Sequence, residues 1–200
     1  VITTSANGAH DVYSIDMDGD GDMDVLSASS YDYKLAWYEN DGNQSFTTHI
    51  ITSVYYAKSV YASDIDGDSD MDVLCVGAND FNISWYENDG NQNFTERVLS
   101  TISNGNPYDV IASDLDSDGD MDILYAEEWS GRISWFEQIT CKINPSFTNT
   151  TFLNKVEDPK SVFSIDLDSD GDMDVLSASS GDNKIIWYEN NGNQSFDIHV

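Results

Sequence analysis

The chain has 200 residues, and its 37 acidic against 8 basic residues give a formal charge of -29 at pH 7. A field of this sign disfavours nucleic acid and anionic membrane as partners, because either one requires a basic patch on the protein. The sequence shows no apolar run as long as a membrane span and no signal peptide, so membrane insertion is not expected.

The first predicted elements are four short strands with an acidic loop between the first two. Strand A is VYSI at 12–15, and the loop DMDGDGDMD follows at 16–24. Strands B, C and D are VLSAS at 25–29, KLAWYEN at 34–40 and FTTHII at 46–51. These segments are short, apolar and partly β-branched, which is typical of strands.

The same acidic loop is written four times along the chain. Its later copies are DIDGDSDMD at 64–72, DLDSDGDMD at 114–122 and DLDSDGDMD at 166–174. A Trp follows the first Asp of each loop at a distance of 21 residues, at Trp37, Trp85, Trp135 and Trp187. A period of 48 to 52 residues with this regularity indicates a repeat architecture.

The repeats predict an all-β fold of β-propeller type, with one four-stranded antiparallel blade per repeat. Neighbouring apolar pairs such as Val25–Leu26 and Trp37–Tyr38 indicate sheets that are covered on both faces. Blades stacked radially around an axis satisfy this requirement, because each one packs against its two neighbours. We expect a single propeller unit over 1–200, with repeats at about 1–51, 52–99, 100–152 and 153–200.

Each acidic loop places Asp at positions 1, 3, 5, 7 and 9, and two carboxylates about 4 Å apart repel by about 1 kcal/mol even in water. A ligand set made only of oxygen favours a hard cation, and the number of oxygens favours Ca²⁺ over Mg²⁺. In the first loop, we expect inward carboxylates from Asp16, Asp18 and Asp20, the carbonyl of Asp22, and a bidentate Asp24. An EF-hand is excluded, because position 12 is never Glu.

We therefore predict about four Ca²⁺ ions, one per repeat. The predicted ligands are Asp16, Asp18, Asp20, Asp22, Asp24, Asp64, Asp66, Asp68, Asp70, Asp72, Asp114, Asp116, Asp118, Asp120, Asp122, Asp166, Asp168, Asp170, Asp172 and Asp174.

The combined pattern resembles the FG-GAP and VCBS repeat family, the blades of integrin α-subunits and of many bacterial surface proteins. The resemblance rests on D-x-D-x-D-G-x-x-D and on WYENDGNQxF at 37–46 and 85–94, with WYENNGNQxF at 187–196. It implies Ca²⁺ at the A–B turn of each blade. Together with the acidic composition, it implies a secreted or cell-surface protein.

Two departures from the pattern stand out. The second loop has Ser69 where the turn glycine belongs, and we expect strain there because glycine reaches positive φ most cheaply. The third repeat replaces the ENDGNQ hairpin by EQITCKINPSF, which is three residues longer. Cys75 lies in a B strand and Cys141 in this insertion, so two free thiols are expected.

The 200 residues correspond to four whole repeats, since joining Val200 to Val1 would keep the spacing of the repeat. Four whole repeats fit a closed four-bladed ring, and they fit part of a ring of seven or eight blades equally well. A homodimer that completes an eight-bladed ring is one form of the second alternative.

Candidate catalytic residues are few, and we expect no enzyme. His49 and His199 occupy the same repeat position, which indicates a structural role, and His10 completes no triad with them. The unrepeated pair Glu127–Glu128 beside Trp129 has the chemistry for acid–base catalysis, but a solvated loop is the expected structure. Glu39 and its counterparts Glu87, Glu137 and Glu189 indicate a blade-building hydrogen bond.

The variable turns between strands B and C and before strand A should share the end of the blades opposite the acidic loops. They carry the candidate ligand-face residues Tyr31, Tyr33, Tyr55, Tyr56, Phe81, Tyr108 and Trp129. Aromatic rings among Asn, Asp and Ser suit a glycan or a protein partner. We therefore expect a binding or adhesion module. The alternatives are a domain of a polysaccharide-degrading enzyme and a spacer with no ligand beyond Ca²⁺.

Overall fold

The computed structural model describes residues 1–102, 105–139, 145–154, 156–193 and 195–200. Within these ranges the protein is all-β and contains no helix. Every predicted strand is present, and each repeat forms one four-stranded antiparallel sheet. The prediction of four propeller-type blades is therefore confirmed.

Each blade uses its strands in chain order, so that every connection is a turn between neighbours. Blade 1 consists of β1 (Ala9–Ile15), β2 (Asp24–Ser29), β3 (Lys34–Asn40) and β4 (Phe46–Ser53). Blade 2 consists of β5 (Ala57–Ser63), β6 (Asp72–Gly77), β7 (Asn82–Asn88) and β8 (Phe94–Thr101). Blade 3 consists of β9 (Pro107–Ser113), β10 (Asp122–Glu127), β11 (Arg132–Gln138) and β12 (Phe147–Asn154). Blade 4 consists of β13 (Pro159–Ile165), β14 (Asp174–Ser179), β15 (Lys184–Asn190) and β16 (Phe196–His199).

The register repeats from blade to blade. Leu26 lies opposite Trp37, and Trp37 lies opposite His49 on the fourth strand. Trp187 of blade 4 lies between Leu176 and His199 in the same way. The constant distance from loop to Trp in the sequence thus fixes one constant position on the third strand.

The chain divides into two compact units, of which the first comprises residues 1–64 and 69–102 and the second residues 65–68 and 103–200. Blades 1 and 2 share one apolar core in the first unit, and blades 3 and 4 share another in the second. The two cores draw on the same repeat positions. Trp37 and Trp135 are buried in them, whereas Trp187 is only partly buried.

A carboxylate on the first strand also joins the two blades within each unit. Asp11 accepts a hydrogen bond from the Val60 N–H at 2.9 Å, and Asp109 accepts one from the Val162 N–H at 2.8 Å. Blades 2 and 4 have Ser at the matching position. This polar contact therefore occurs once in each unit.

Cys75 is a free, buried thiol, and its burial raises its pKa. Cys141 lies outside the described residues, so the prediction of two free thiols is tested at Cys75 only.

Within the described part of the chain, no helix has the length and apolar character that crossing a bilayer requires.

Candidate functional site

The backbone of each acidic loop turns twice through the left-handed region. In the first loop Gly19 has φ 77° and Gly21 has φ 97°. These turns let Asp16 accept hydrogen bonds from the N–H groups of both glycines, at 2.9 and 3.0 Å. The loop thereby closes around the carboxylate that opens it.

Carboxylates of each loop converge on one another. In each of four groups, one carboxylate oxygen per residue lies within 4.8 Å of the others. These groups are Asp16, Asp18 and Asp24; Asp64, Asp66 and Asp68; Asp114, Asp116 and Asp122; and Asp166, Asp168 and Asp170. The Asp residues at positions 1 and 3 of the loop belong to every group. The third member is the Asp at position 9 in the first and third loops and the Asp at position 5 in the second and fourth.

The ninth Asp of the loop has a second role, which the sequence analysis missed. Asp24 is fully buried, and its two carboxylate oxygens accept hydrogen bonds from the N–H groups of Met17 at 3.0 Å and Asn40 at 2.7 Å. It thus ties the start of the loop to the end of the third strand. Each oxygen keeps a further lone pair for a cation.

We call these two hydrogen bonds from backbone N–H groups to the ninth Asp the backbone clasp. The clasp recurs in the other blades. Asp122 accepts from the N–H groups of Leu115 and Gln138, both at 2.9 Å. Asp174 accepts from Leu167 and Asn190, and Asp72 accepts from Asn88. In the sequence, this Asp differs from the other four of its loop only in being the first residue of the following strand.

The seventh Asp of the loop points instead toward the hairpin between the third and fourth strands. A Cβ on Gly42 would lie only 2.4 Å from the Asp22 Oδ2 atom, and Gly90 and Gly192 stand in the same relation to Asp70 and Asp172. A side chain at this hairpin position would displace the Asp of the acidic loop, and the φ of 72° at Gly42 also favours glycine. The side chain of Asp22 is not in the convergent group, which leaves its carbonyl as the predicted donor.

Burial, helped by nearby negative charges, raises the pKa of Asp18, Asp24, Asp122 and Asp168. Burial raises the pKa of Asp122 to about 7, against the lowering effect of its two backbone N–H donors. The nearby charges of Asp116 and Asp120 raise it further. A bound divalent cation would remove this penalty, and the donors are all hard oxygens, so the residues fit Ca²⁺.

Ser69 adopts the backbone conformation of the glycine that it replaces. Its φ is 80°, against 97° for Gly21 in the first loop. The expected strain is therefore present. The turn that precedes it has a similar requirement, which Gly67 meets in the second loop and Ser117 and Ser169 meet in the third and fourth.

A family model described as FG-GAP-like repeat matches residues 16–75, 64–125 and 166–199. The chain belongs to the FG-GAP-like repeat family. Each match begins at the first Asp of an acidic loop, and the first two continue through the acidic loop of the next repeat. A search of curated proteins found no match to the chain.

The candidate histidines are structural members of the FG-GAP-like blades. His49 lies 2.7 Å from Glu39, and His199 lies 2.5 Å from Glu189, and both rings stack on the third-strand Trp of their own blade. Arg97 bonds Glu87 in blade 2, which confirms the interpretation of this Glu position as blade-building in three blades. The His10 Nδ1 atom lies 2.7 Å from a backbone carbonyl of blade 2.

Four predicted ligand-face residues cluster in the first unit. The rings of Tyr33 and Tyr55 stack with centroids 4.5 Å apart, and Tyr56 lies 5.8 Å from Tyr33. Tyr31 contacts Tyr56 edge-on at 6.4 Å and is 66% exposed. Phe81 is partly buried at the B–C turn of blade 2.

The second unit carries Tyr108 and Trp129. The Lys160 ammonium group lies 4.3 Å from the centroid of the Tyr108 ring and also bonds Glu128, which ties Tyr108 to its own surroundings. Trp129 is 62% exposed at the rim of a groove of about 430 Å³ between the B–C turn of blade 3 and the segment before β13.

The pair Glu127–Glu128 departs from its predicted setting. A solvated loop was expected, but Glu127 is only 4% exposed and accepts a hydrogen bond from the Ser130 hydroxyl at 2.5 Å. That part of the prediction is wrong, because Glu127 is the last residue of β10, at a position that is also buried in blades 1 and 4 as Ser29 and Ser179. Glu128 is bonded by the side chains of Asn106 and Lys160.

Proposed function

We propose that this FG-GAP-like chain is a secreted or cell-surface binding module that takes a carbohydrate in the groove beside Trp129. One Ca²⁺ per blade stabilises the module. The observation that carries the proposal is the exposed indole of Trp129 at the rim of a preformed polar groove.

The shape and lining of the groove suit a sugar. Its volume of about 430 Å³ lies within the range of about 300–1,000 Å³ that is usual for small-molecule sites. A pyranose ring presents an apolar C–H face to an indole and hydroxyl groups to its rim. Ser130, Glu157 and Asp158 line the same groove and offer hydroxyl and carboxylate partners for such hydroxyl groups.

Backbone contacts hold the two walls of the groove together. The Val156 N–H donates to the Gly131 carbonyl at 3.1 Å, and the Gly181 N–H donates to the Glu157 carbonyl at 3.0 Å. A Cβ on Gly131 would lie 2.3 Å from the Val156 carbonyl oxygen, so only glycine permits this approach. A preformed groove reduces the ordering cost of binding.

The proposed calcium ions belong to the other end of the blades. The first and third Asp of each loop, with the fifth or ninth, would hold the ion. When bound, Ca²⁺ supplies positive charge that offsets the carboxylate repulsion. Because the A–B loops and the B–C turns lie at opposite ends of antiparallel strands, the ion would stabilise the blade without contacting the groove.

Glycan-array binding in the presence of Ca²⁺ tests the ligand. We expect binding of the wild-type protein, and we expect Trp129→Ala to weaken it roughly tenfold or more, a loss of about 1.4 kcal/mol. The matched control is Tyr31→Ala, which removes an equally exposed ring from the other unit and should leave binding unchanged. Equal binding by wild type and Trp129→Ala would contradict the proposed site.

The same protein preparations separate the two alternative functions. Turnover of a polysaccharide that is lost in Glu127→Gln or Glu128→Gln would favour a domain of a polysaccharide-degrading enzyme. If the protein is folded but shows no binding and no turnover, the result would favour a spacer that binds only Ca²⁺.

A further inference from the structure

The junction between blades within each unit uses a fixed set of repeat positions. In the first unit, Met17 in the acidic loop and Leu35 on the third strand of blade 1 pack with Val60 of blade 2. In the second unit, the matching residues Leu115 and Ile133 of blade 3 pack with Val162 of blade 4. One face of the leading blade is thus covered by the first strand of the blade that follows.

The matching face of blade 4 is apolar and exposed. Ile185 occupies the position of Leu35 and Ile133, and it is 75% exposed where both of those side chains are fully buried. Leu167 occupies the position of Met17 and Leu115, and it is 48% exposed where they are 2% and 1% exposed. Blade 4 therefore has the apolar face that, in blades 1 and 3, is covered by the first strand of the next blade.

Two residues of the first strand extend this apolar face. Phe163 is 56% exposed and Ile165 is 40% exposed. The matching side chains of blade 1, Tyr13 and Ile15, pack against the core that blade 2 completes. We call the surface formed by Phe163, Ile165, Leu167 and Ile185 the open face of blade 4.

Blade 1 presents the complementary half. Val12 occupies the position of Val60 and Val162, which are 2% and 3% exposed against the preceding blade of their unit. Val12 is 63% exposed. The chain thus carries both halves of a junction of the type that each unit builds between its own two blades.

We propose that the open face of blade 4 docks the first strand of blade 1 of a second copy of the chain. In a two-fold dimer the contact forms twice, so that Val12 of each copy covers Ile185 of the other and neither face remains exposed. The occupant is identified by the two internal junctions, in which this face always receives the first strand of an FG-GAP-like blade with Val at this position.

Solution mass and surface variants test the dimer. Sedimentation equilibrium of the Ca²⁺-loaded chain at micromolar concentration should give twice the chain mass of 22.2 kDa. Ile185→Asp and Val12→Asp should each raise the dissociation constant at least tenfold, because each places a charge in the apolar contact. The matched control is Val98→Asp, at a 51% exposed valine on β8, which should leave the mass unchanged. A monomeric wild type, or a dimer that resists both variants, overturns the proposal.

A cysteine pair distinguishes the second copy from the chain's own blade 1. The double variant Val12→Cys, Ile185→Cys, with Cys141→Ser to remove a competing thiol, is oxidised at low concentration and run without reductant. A band at twice the chain mass supports docking between copies. A cross-link confined to the single chain, or no cross-link at all, contradicts it. Circular dichroism of each reduced variant confirms that the strands are formed.

Discussion

At the scale of single residues, the Asp side chains of the first loop differ in how they contact the backbone. Asp18 and Asp24 both belong to the convergent group, but Asp18 is partly exposed, whereas Asp24 is fully buried and accepts two backbone N–H groups. Because the two residues carry the same charge, Asp→Asn substitution removes the same charge at each, and a difference between the two variants reports on the backbone contacts.

The clasp predicts a loss of stability that does not depend on metal. In excess EDTA, Asp24→Asn should lower the free energy of unfolding by about 1–3 kcal/mol, because the amide nitrogen cannot accept and leaves one buried N–H without a partner. Asp18→Asn is the matched control and should be neutral or slightly stabilising, since it removes repulsion while the retained Oδ1 atom can still accept from the Asp20 N–H. Urea unfolding measures both. Equal effects of the two variants would contradict the distinction.

Replacing Ser69 by glycine should increase the stability of the protein. Ser69 holds a φ of 80°, which costs a non-glycine residue about 1–3 kcal/mol. Ser69→Gly should raise the free energy of unfolding by about 1 kcal/mol, and calorimetry should record a higher melting temperature. Ser69→Ala removes the hydroxyl but keeps the Cβ, and should give no such gain. A lower melting temperature for the glycine variant would show that the hydroxyl matters more than the backbone.

At the scale of the element, removal of Ca²⁺ from the acidic loop should lower the melting temperature of the whole blade. Chelation removes a ligand of the native state, and a site filled at 100 times its dissociation constant contributes about 2.7 kcal/mol. We therefore expect EDTA to lower the melting temperature by several degrees or more, and excess Ca²⁺ to restore it. Mg²⁺ at the same concentration should restore it less. A melt that EDTA leaves unchanged would rule out structural Ca²⁺ sites.

Much of the blade was accessible from the sequence because its determinants are local. The loop, the Trp position and the hairpin glycine all lie within one repeat, and the short-range register follows from them. The clasp of Asp24 was missed because its partners are backbone N–H groups, which no side-chain pattern records. Glu127 was misplaced because it was assigned to the turn by its charge, whereas it ends β10 at a position that is buried in the other blades as Ser29, Gly77 and Ser179.

At the scale of the whole molecule, equivalent positions in the repeats have unequal surroundings. Ile133 and Ile185 occupy the same site of their blades, yet one is fully buried and the other is 75% exposed. Periodicity predicts both as core, since it describes a residue within its repeat and is silent on whether another repeat covers it. The neighbour decides the burial, and for this reason the sequence left the number of blades in a ring open.

The junctions in the two units also bear on how such chains change length. Both are built from the same few positions of the repeat, with an Asp of the leading blade bonded to the backbone of the following blade. Blades 1 and 3 therefore carry the same connector to the blade that follows, whereas blades 2 and 4 have Ser in place of this Asp. A duplication or deletion of one whole pair of blades in the gene would leave the junction inside each remaining pair intact, so repeat number can vary by two in evolution without simultaneous changes at these positions.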